Sequence, residues 1–217
     1  GNSEAATLVN SLTDNRELVP LLQIEQKRLC ALVLDGVRRV ADMAFDTVVT
    51  RGRHLRNKAY FVECELLPDG NPQDLDAIEE SLVQQYAVKV HPASKLRHGL
   101  DLMAAVELLE GSDGPARISI EETPRQVGVA EPIEENIIGL MQQLYNGLQP
   151  LHALPPWHRA LANAAAMLYC AGECLDYKRP WKPAYRLANQ RRFAILSETD
   201  QVMLAGIMQL TGRHIDR

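Results

Sequence analysis

The chain of 217 residues predicts an α+β fold. Apolar residues alternate at every second position between residues 29 and 67, the period of strands. Between residues 137 and 210 they recur at every third or fourth position, the period of helices. Residues 111–132 separate the two regimes and hold Gly111, Gly114, Pro115, Pro124, Gly128 and Pro132. No helical stripe survives that density of backbone breakers. The expected organisation is an N-terminal unit at 1–110 built on a partial antiparallel sheet with two helices, a linker at 111–131, and an all-helical unit at 132–217.

The elements follow in order. Residues 29–34 are a short apolar run with the length of a strand. Over residues 40–50, Ala41, Met43, Phe45, Thr47 and Val49 share one face, and Asp42, Ala44, Asp46 and Val48 share the other. Residues 59–67 alternate again and carry the aromatic and β-branched types that suit a pleated surface. The basic segment 51–57 between these two stretches predicts a hairpin connection. Asn71, Pro72 and Asp74 spell the start of a helix: a capping side chain, a proline that loses no bond at the first position, and a negative charge at the positive end. Leu75, Ile78 and Leu82 give that helix its stripe. Residues 87–90 suggest a short strand, Ser94 caps a helix running to about 109, and Gly111 ends it. A further short strand is expected at 117–120.

In the second half, Ile137, Leu140, Met141, Leu144 and Leu148 form one stripe, and Leu161, Ala165 and Leu168 form another whose alanine neighbours predict close helix packing. Trp157 is expected to anchor the Pro155–Pro156 turn against this bundle. Residues 197–200, from Ser197 to Asp200, give a capping signal ahead of Met203, Ile207 and Leu210.

Composition narrows the class. The formal charge of −5 excludes a generic polyanion binder, so any phosphate site must be local. No apolar run approaches the roughly 20 residues that span a bilayer, no secretory segment opens the chain, and Gly1 before a polar stretch suggests that residues once preceded it. A cytoplasmic protein with no membrane partner is expected. Cys30, Cys64, Cys170 and Cys174 lack disulfide-framework spacing, so reduced thiols are expected. Cys170 and Cys174 share a helix face, but a zinc site needs more ligands than they supply, and small buried thiols are the preferred interpretation.

Three groups of residues could carry chemistry. Glu63 and Glu65 point to one face of their strand, as do Asp42 and Asp46 on the neighbouring one. Carboxylates converging from adjacent strands can hold Mg²⁺ or Mn²⁺, with Lys27 or Arg28 gripping phosphate oxygens. Spacing alone favours a solvated acidic face instead. The segment 178–192 contains Lys178, Arg179, Lys182, Arg186, Arg191 and Arg192 with Trp181 and Tyr185 interleaved, a local positive patch suited to phosphates, or else a solvated helix face whose aromatics turn inward. His152 and His158 flank the Pro155–Pro156 turn without a nucleophile beside them.

Two family resemblances add to this. Residues 18–103 resemble the C-terminal half of a CYTH domain, the fold of triphosphate tunnel enzymes, through Gln26, Lys27 and Arg28, the Met43–Asp46 and Val62–Leu66 segments, and Ser94 to Arg97. The resemblance implies a tunnel of acids and bases around metal and triphosphate, with Arg28 and Lys95 as phosphate ligands and Asp46, Glu63 and Glu65 as metal ligands. The Glu-x-Glu-x-Lys strand that opens such domains has no counterpart in residues 1–25, so a half-barrel with open strand edges is implied, and two chains could pair through those edges as a homodimer. Residues 132–213 resemble the HD-like C-terminal helical domain of the exopolyphosphatase and guanosine pentaphosphate phosphohydrolase family, through residues 136–148, 151–154 and 161–172. Tyr169 and Cys170 stand where that family has its metal-binding His-Asp pair.

Together the resemblances imply a non-catalytic binding or regulatory portion of a polyphosphate or nucleotide-phosphate hydrolase, with no catalytic residue assigned. Its phosphate ligands would be Arg28, Lys95, Lys182, Arg186, Arg191 and Arg192, and nucleic acid is a less favoured partner than polyphosphate or a phosphorylated nucleotide. The alternatives are a metal-dependent triphosphatase or phosphohydrolase and a structural dimerisation module.

Overall fold

A computed structural model describes residues 3–14, 16–86, 88–110, 119–190, 193 and 196–215. The architecture is α+β: a three-stranded antiparallel meander, β1 (Gln23–Asp35), β2 (Arg38–Gly52) and β3 (Leu55–Leu66), followed by helices. A short helix, α1 (Glu4–Leu12), precedes the sheet. Gly36, at φ +60, turns β1 into β2. The hairpin between β2 and β3 occupies only residues 53–54, with His54 also at positive φ, so most of the expected basic connection at 51–57 lies within strands. β1 likewise extends beyond the apolar run at 29–34, because Gln23 to Arg28 continue to pair with β2 although all of them but Ile24 have polar side chains.

The register sorts the side chains into two faces. Arg28, Asp46 and Phe61 form one cross-strand row, and Cys30, Ala44 and Glu63 form the next row on the same face. Helix α3 (Lys95–Glu110) covers this face. Leu29, Phe45 and Val62 form a row on the opposite face. There α2 (Pro72–Gln85) lies beside Val33 and Met43 through Ala77, Ile78 and Leu82. The expected cap of α2 is present: Asn71 Oδ1 accepts from the Asp74 amide at 3.1 Å, and Asp74 Oδ2 accepts from the Asn71 amide at 2.9 Å. Yet α2 buries no residue, and Arg38 ties it to the hairpin through Asp74 at 3.2 Å.

The face of β2 richer in apolar residues is the less covered one. Phe45 is 40% exposed, whereas Ala44, Asp46, Val48 and Thr50 are buried. Periodicity specifies two faces, but the positions of α2 and α3 decide which is covered.

The helical half comprises α4 (Glu122–Gln126), α5 (Glu131–Gly147), α6 (Gln149–His152), α7 (His158–Leu175), α8 (Trp181–Gln190) and α9 (Glu198–Ile215). None of the helices among the described residues is long and apolar enough to cross a membrane. One hydrophobic cluster joins Leu102, Ala105, Val106 and Leu109 of α3 to Leu168, Ala171 and Leu175 of α7, Leu187 of α8 and Leu204 of α9. Leu55, at the start of β3, belongs to the same cluster. The Asn57 side-chain amide donates to the Cys174 carbonyl at 2.9 Å, and the Tyr177 amide donates to the Arg56 carbonyl at 3.2 Å. Sheet and bundle are thereby tied together at the start of β3.

Several expectations need correction. Residues 119–131 are no linker: Ile120, Val127 and Val129 enter the core, and Thr123 and Pro124 of α4 are buried. The remainder of the expected linker, 111–118, lies outside the described residues, as do positions 117–118 of the expected strand at 117–120; positions 119–120 form no strand. Residue 87 is also outside them, and residues 88–90 pair with no strand.

Helix α5 is rotated relative to its expected stripe. Leu140, Leu144 and Leu148 are exposed, while Glu134 and Tyr145 are buried. Two polar anchors explain this rotation. Glu134 meets Arg125 of α4 at 3.0 Å, and the Tyr145 hydroxyl donates to the Pro155 carbonyl at 2.7 Å. Trp157 is not buried as an anchor but is 67% exposed, stacked on His158. Tyr145 performs the anchoring instead, together with His152, whose Nδ1 accepts from the Leu154 amide and whose Nε2 therefore donates to the Tyr145 carbonyl.

Close packing in the bundle depends on two glycines. A Cβ on Gly172 of α7 would lie 2.1 Å from the Pro180 carbonyl oxygen, and one on Gly212 of α9 would lie 2.3 Å from the Trp181 ring. Replacing Gly172 with alanine is therefore expected to destabilise the protein by about 1–3 kcal/mol, the usual cost of overpacking. Thermal denaturation of Gly172→Ala against Gly139→Ala checks this, because a Cβ at Gly139 meets no atom within 4 Å.

Candidate functional site

Four of the residues singled out from sequence converge. Arg28 of β1, Asp46 of β2, Glu63 of β3 and Lys95 at the first turn of α3 form one ion-paired cluster on the face beneath α3. Arg28 grips Asp46 with a two-pronged bond, Nε to Oδ1 at 2.8 Å and Nη2 to Oδ2 at 2.7 Å. Lys95 Nζ lies 2.6 Å from the same Oδ2. Glu63 bonds both cations, one with each carboxylate oxygen. Every strand of the sheet and the helix above it thus contributes one charge, and the charges cancel.

The surroundings are uneven. The Asp46 side chain is fully buried and that of Lys95 nearly so, whereas Arg28 and Glu63 are 40% and 41% exposed. Phe61, His91 and His98 pack edge-to-face beside the cluster, and Lys95 Nζ lies 5.9 Å from the Phe61 ring centre. These three flanking residues were not singled out from sequence. Phe61 shares the strand face of Glu63, and His98 lies one turn along from Lys95, so helix and strand periods could have placed them.

The protonation states follow from this geometry. Hydrogen bonding from Arg28 holds the Asp46 carboxyl well below the usual carboxylate range, against the opposing effect of burial and with help from Lys95. Glu63 is lowered in the same way, first by its bond to Lys95. Burial works against the Lys95 ammonium, but its bonds to Asp46 and Glu63 outweigh that effect and raise its pKa. The His98 imidazole is pushed down by burial and then by His91, so it is neutral at neutral pH.

The metal-ligand set expected from resemblance does not assemble. Asp46 and Glu63 converge, but on two cations. Glu65 is exposed, lies opposite Asp42 in the register, and is outside the cluster. Among the described residues no group of three or more His, Cys, Asp or Glu side chains is placed to hold an ion. A hard cation needs free carboxylate oxygens, so these acids as arranged do not fit Mg²⁺ or Mn²⁺.

On α7, burial, and secondarily Glu173, pushes the Cys170 thiol up to about 11. Burial likewise raises Cys174 to about 11. Both are thiols at neutral pH, while metal binding uses the thiolate.

The basic segment disperses. Lys182 lies over the Trp181 ring at 5.4 Å, Arg186 is half-buried on α8, and Arg179 lies 3.9 Å from Asp176. Arg191 and Arg192 lie outside the described residues. Lys182 and Arg186 belong to the helical half, while Arg28 and Lys95 belong to the sheet and its covering helix, so the expected phosphate ligands form two groups.

No protein-family model, no curated protein and no solved structure matches this chain.

Removing Asp46 leaves two cations sharing a single, solvent-facing carboxylate. Asp46→Asn is expected to cost about 3 kcal/mol, the scale of a buried ion pair that loses one partner. Because Asp46 and Glu63 titrate lower when folded than when unfolded, their contribution is full above the unfolded pKa and falls as pH drops below about 4 towards the folded values. Denaturant titrations between neutral and acid pH should show this loss in the parent chain and a shallower loss in Asp46→Asn.

Proposed function

We propose that the chain is a non-catalytic, anion-binding portion of a hydrolase acting on polyphosphate or nucleotide phosphates, of the exopolyphosphatase kind. The observation that carries this is the unequal burial of the two carboxylates sharing Arg28 and Lys95. Asp46 is sealed beneath the cations, while Glu63 faces solvent. Asp46 orients the cations; Glu63 occupies the place an incoming phosphate oxygen would take.

A phosphate chain arriving from solvent displaces the Glu63 carboxylate. The Arg28 guanidinium then offers a planar fork of donors, and Lys95 a compact charge beside it. Catalysis is not part of this proposal. Both carboxylates are committed to ion pairs and held below their usual range, which makes each a poor proton acceptor at neutral pH. The resemblance of residues 26–28, 43–46, 62–66 and 94–97 to tunnel strands supports a phosphate polymer as the ligand class.

Removing the competing charge tests the exchange. Glu63→Gln is expected to bind tripolyphosphate about tenfold more tightly than the parent chain, a gain of about 1.4 kcal/mol, while Arg28→Gln and Lys95→Met lose binding. Isothermal titration measures the affinity, and thermal shift follows the stabilisation that ligand binding imposes on the folded state. Tripolyphosphate binding that is unchanged or weakened in Glu63→Gln refutes the proposal.

A further inference from the structure

Strand β1 bonds only β2, so among the described residues nothing pairs with its outer edge. Leu29, Leu32 and Leu34 on this strand are exposed. Natural edge strands are usually blunted by proline, by inward charges, by bulges or by a covering element. β1 contains no proline, and its one irregularity leaves Val40 of β2 as the unpaired residue. The charges of β1 lie towards its ends, with Glu25, Lys27 and Arg28 on one side and Asp35 on the other. Residues 29–34 between them are uncharged and apolar.

We propose that β1 pairs antiparallel with β1 of a second copy of this chain about a two-fold axis at Ala31, joining two three-stranded sheets into one. Residues directly opposite each other in an antiparallel pair point to the same face, so the axis must pass through a residue and not between two. With the axis at Ala31, Leu29 of one copy lies opposite Val33 of the other, and Cys30 lies opposite Leu32. Lys27 meets Asp35 at both ends of the pairing, as two-fold symmetry requires.

Neighbouring registers are worse. An axis at Cys30 sets Glu25 against Asp35, two like charges. An axis at Leu32 sets Leu29 against Asp35.

The charged ends are available for this contact. Lys27 has no ion-pair partner among the described residues. Asp35 is held by Arg38 at 2.5 Å, yet its side chain is 67% exposed, leaving room for a second cation. A single strand edge buries less than the roughly 1,200 Å² of a standard stable interface, so the association is of the weak, reversible class. This pairing does not rest on the anion site, and tripolyphosphate binding can fail while the dimer persists.

Sedimentation velocity of the full chain, from low micromolar to several hundred micromolar, is expected to show a reversible monomer–dimer equilibrium. Lys27→Asp and Asp35→Lys should each weaken it by roughly fivefold or more, since each loses two cross-strand ion pairs. The double variant should restore it. Cysteine placement reads the register: in a Cys30→Ser background, Ala31→Cys should form a disulfide-linked dimer under mild oxidation and Leu29→Cys should not. A chain that stays monomeric throughout overturns the proposal. So does a dimer that the double variant does not restore, or one that cross-links through Leu29→Cys in preference to Ala31→Cys.

Discussion

The buried Asp46 carboxylate is the constraint around which the N-terminal half is organised. It lies on the central strand and is shared by Arg28 on β1 and Lys95 on α3. An unpaired charge in that position would carry a desolvation penalty of several kcal/mol, and the two cations, meeting at the same Oδ2, offset it. That requirement favours the register of β1 against β2 and the placement of α3 over this face that bring Arg28 and Lys95 to Asp46. Glu63 completes the neutralisation from β3.

Helix α3 connects this electrostatic arrangement to the hydrophobic one. Its first residue, Lys95, meets the acids, His98 one turn along packs against Phe61, and its later turns bury Leu102, Val106 and Leu109 in the helical core. A single rigid element therefore answers to two different forces. Displacing it to improve one set of contacts would disturb the other. The continuation through Ile120, Val127 and Val129 extends the core beyond α3, which is why a segment rich in glycine and proline is packed and not free.

Against that well-tied centre, the exposed apolar residues among the described ones include the outer edge of β1 with its apolar centre and the stripe of Leu140, Leu144 and Leu148 on α5. Isolated exposed leucines are ordinary, but rows of them at strand or helix spacing are less so. Both rows sit on elements held firmly on their other side, β1 by Arg28 and α5 by Glu134 and Tyr145. The chain thus displays preformed apolar surfaces, in contrast to α2, which buries no residue.

The sequence by itself determined the α+β class, the three strands, the capping box of α2, the start of α3 at Ser94, the shared strand face of Asp42 and Asp46, and that of Glu63 and Glu65. These are local or near-local properties, set by the two-residue period of a strand, by the donor and acceptor geometry of a helix end, and by hairpin register. Tertiary structure decided what faces what. It turned the less apolar side of β2 inward, because Lys95 and Arg28 supply the charges that Asp46 requires there. It rotated α5 so that Glu134 and Tyr145 point inward, because their partners, Arg125 and the Pro155 carbonyl, come from other segments. It also removed Glu65 from the acidic group while keeping Glu63, although the two are equivalent by strand period. The positions of Arg28 on β1 and of Lys95 on a helix thirty residues later distinguish them. A period specifies which residues share a face; the covering element and its charges select which of them become a site.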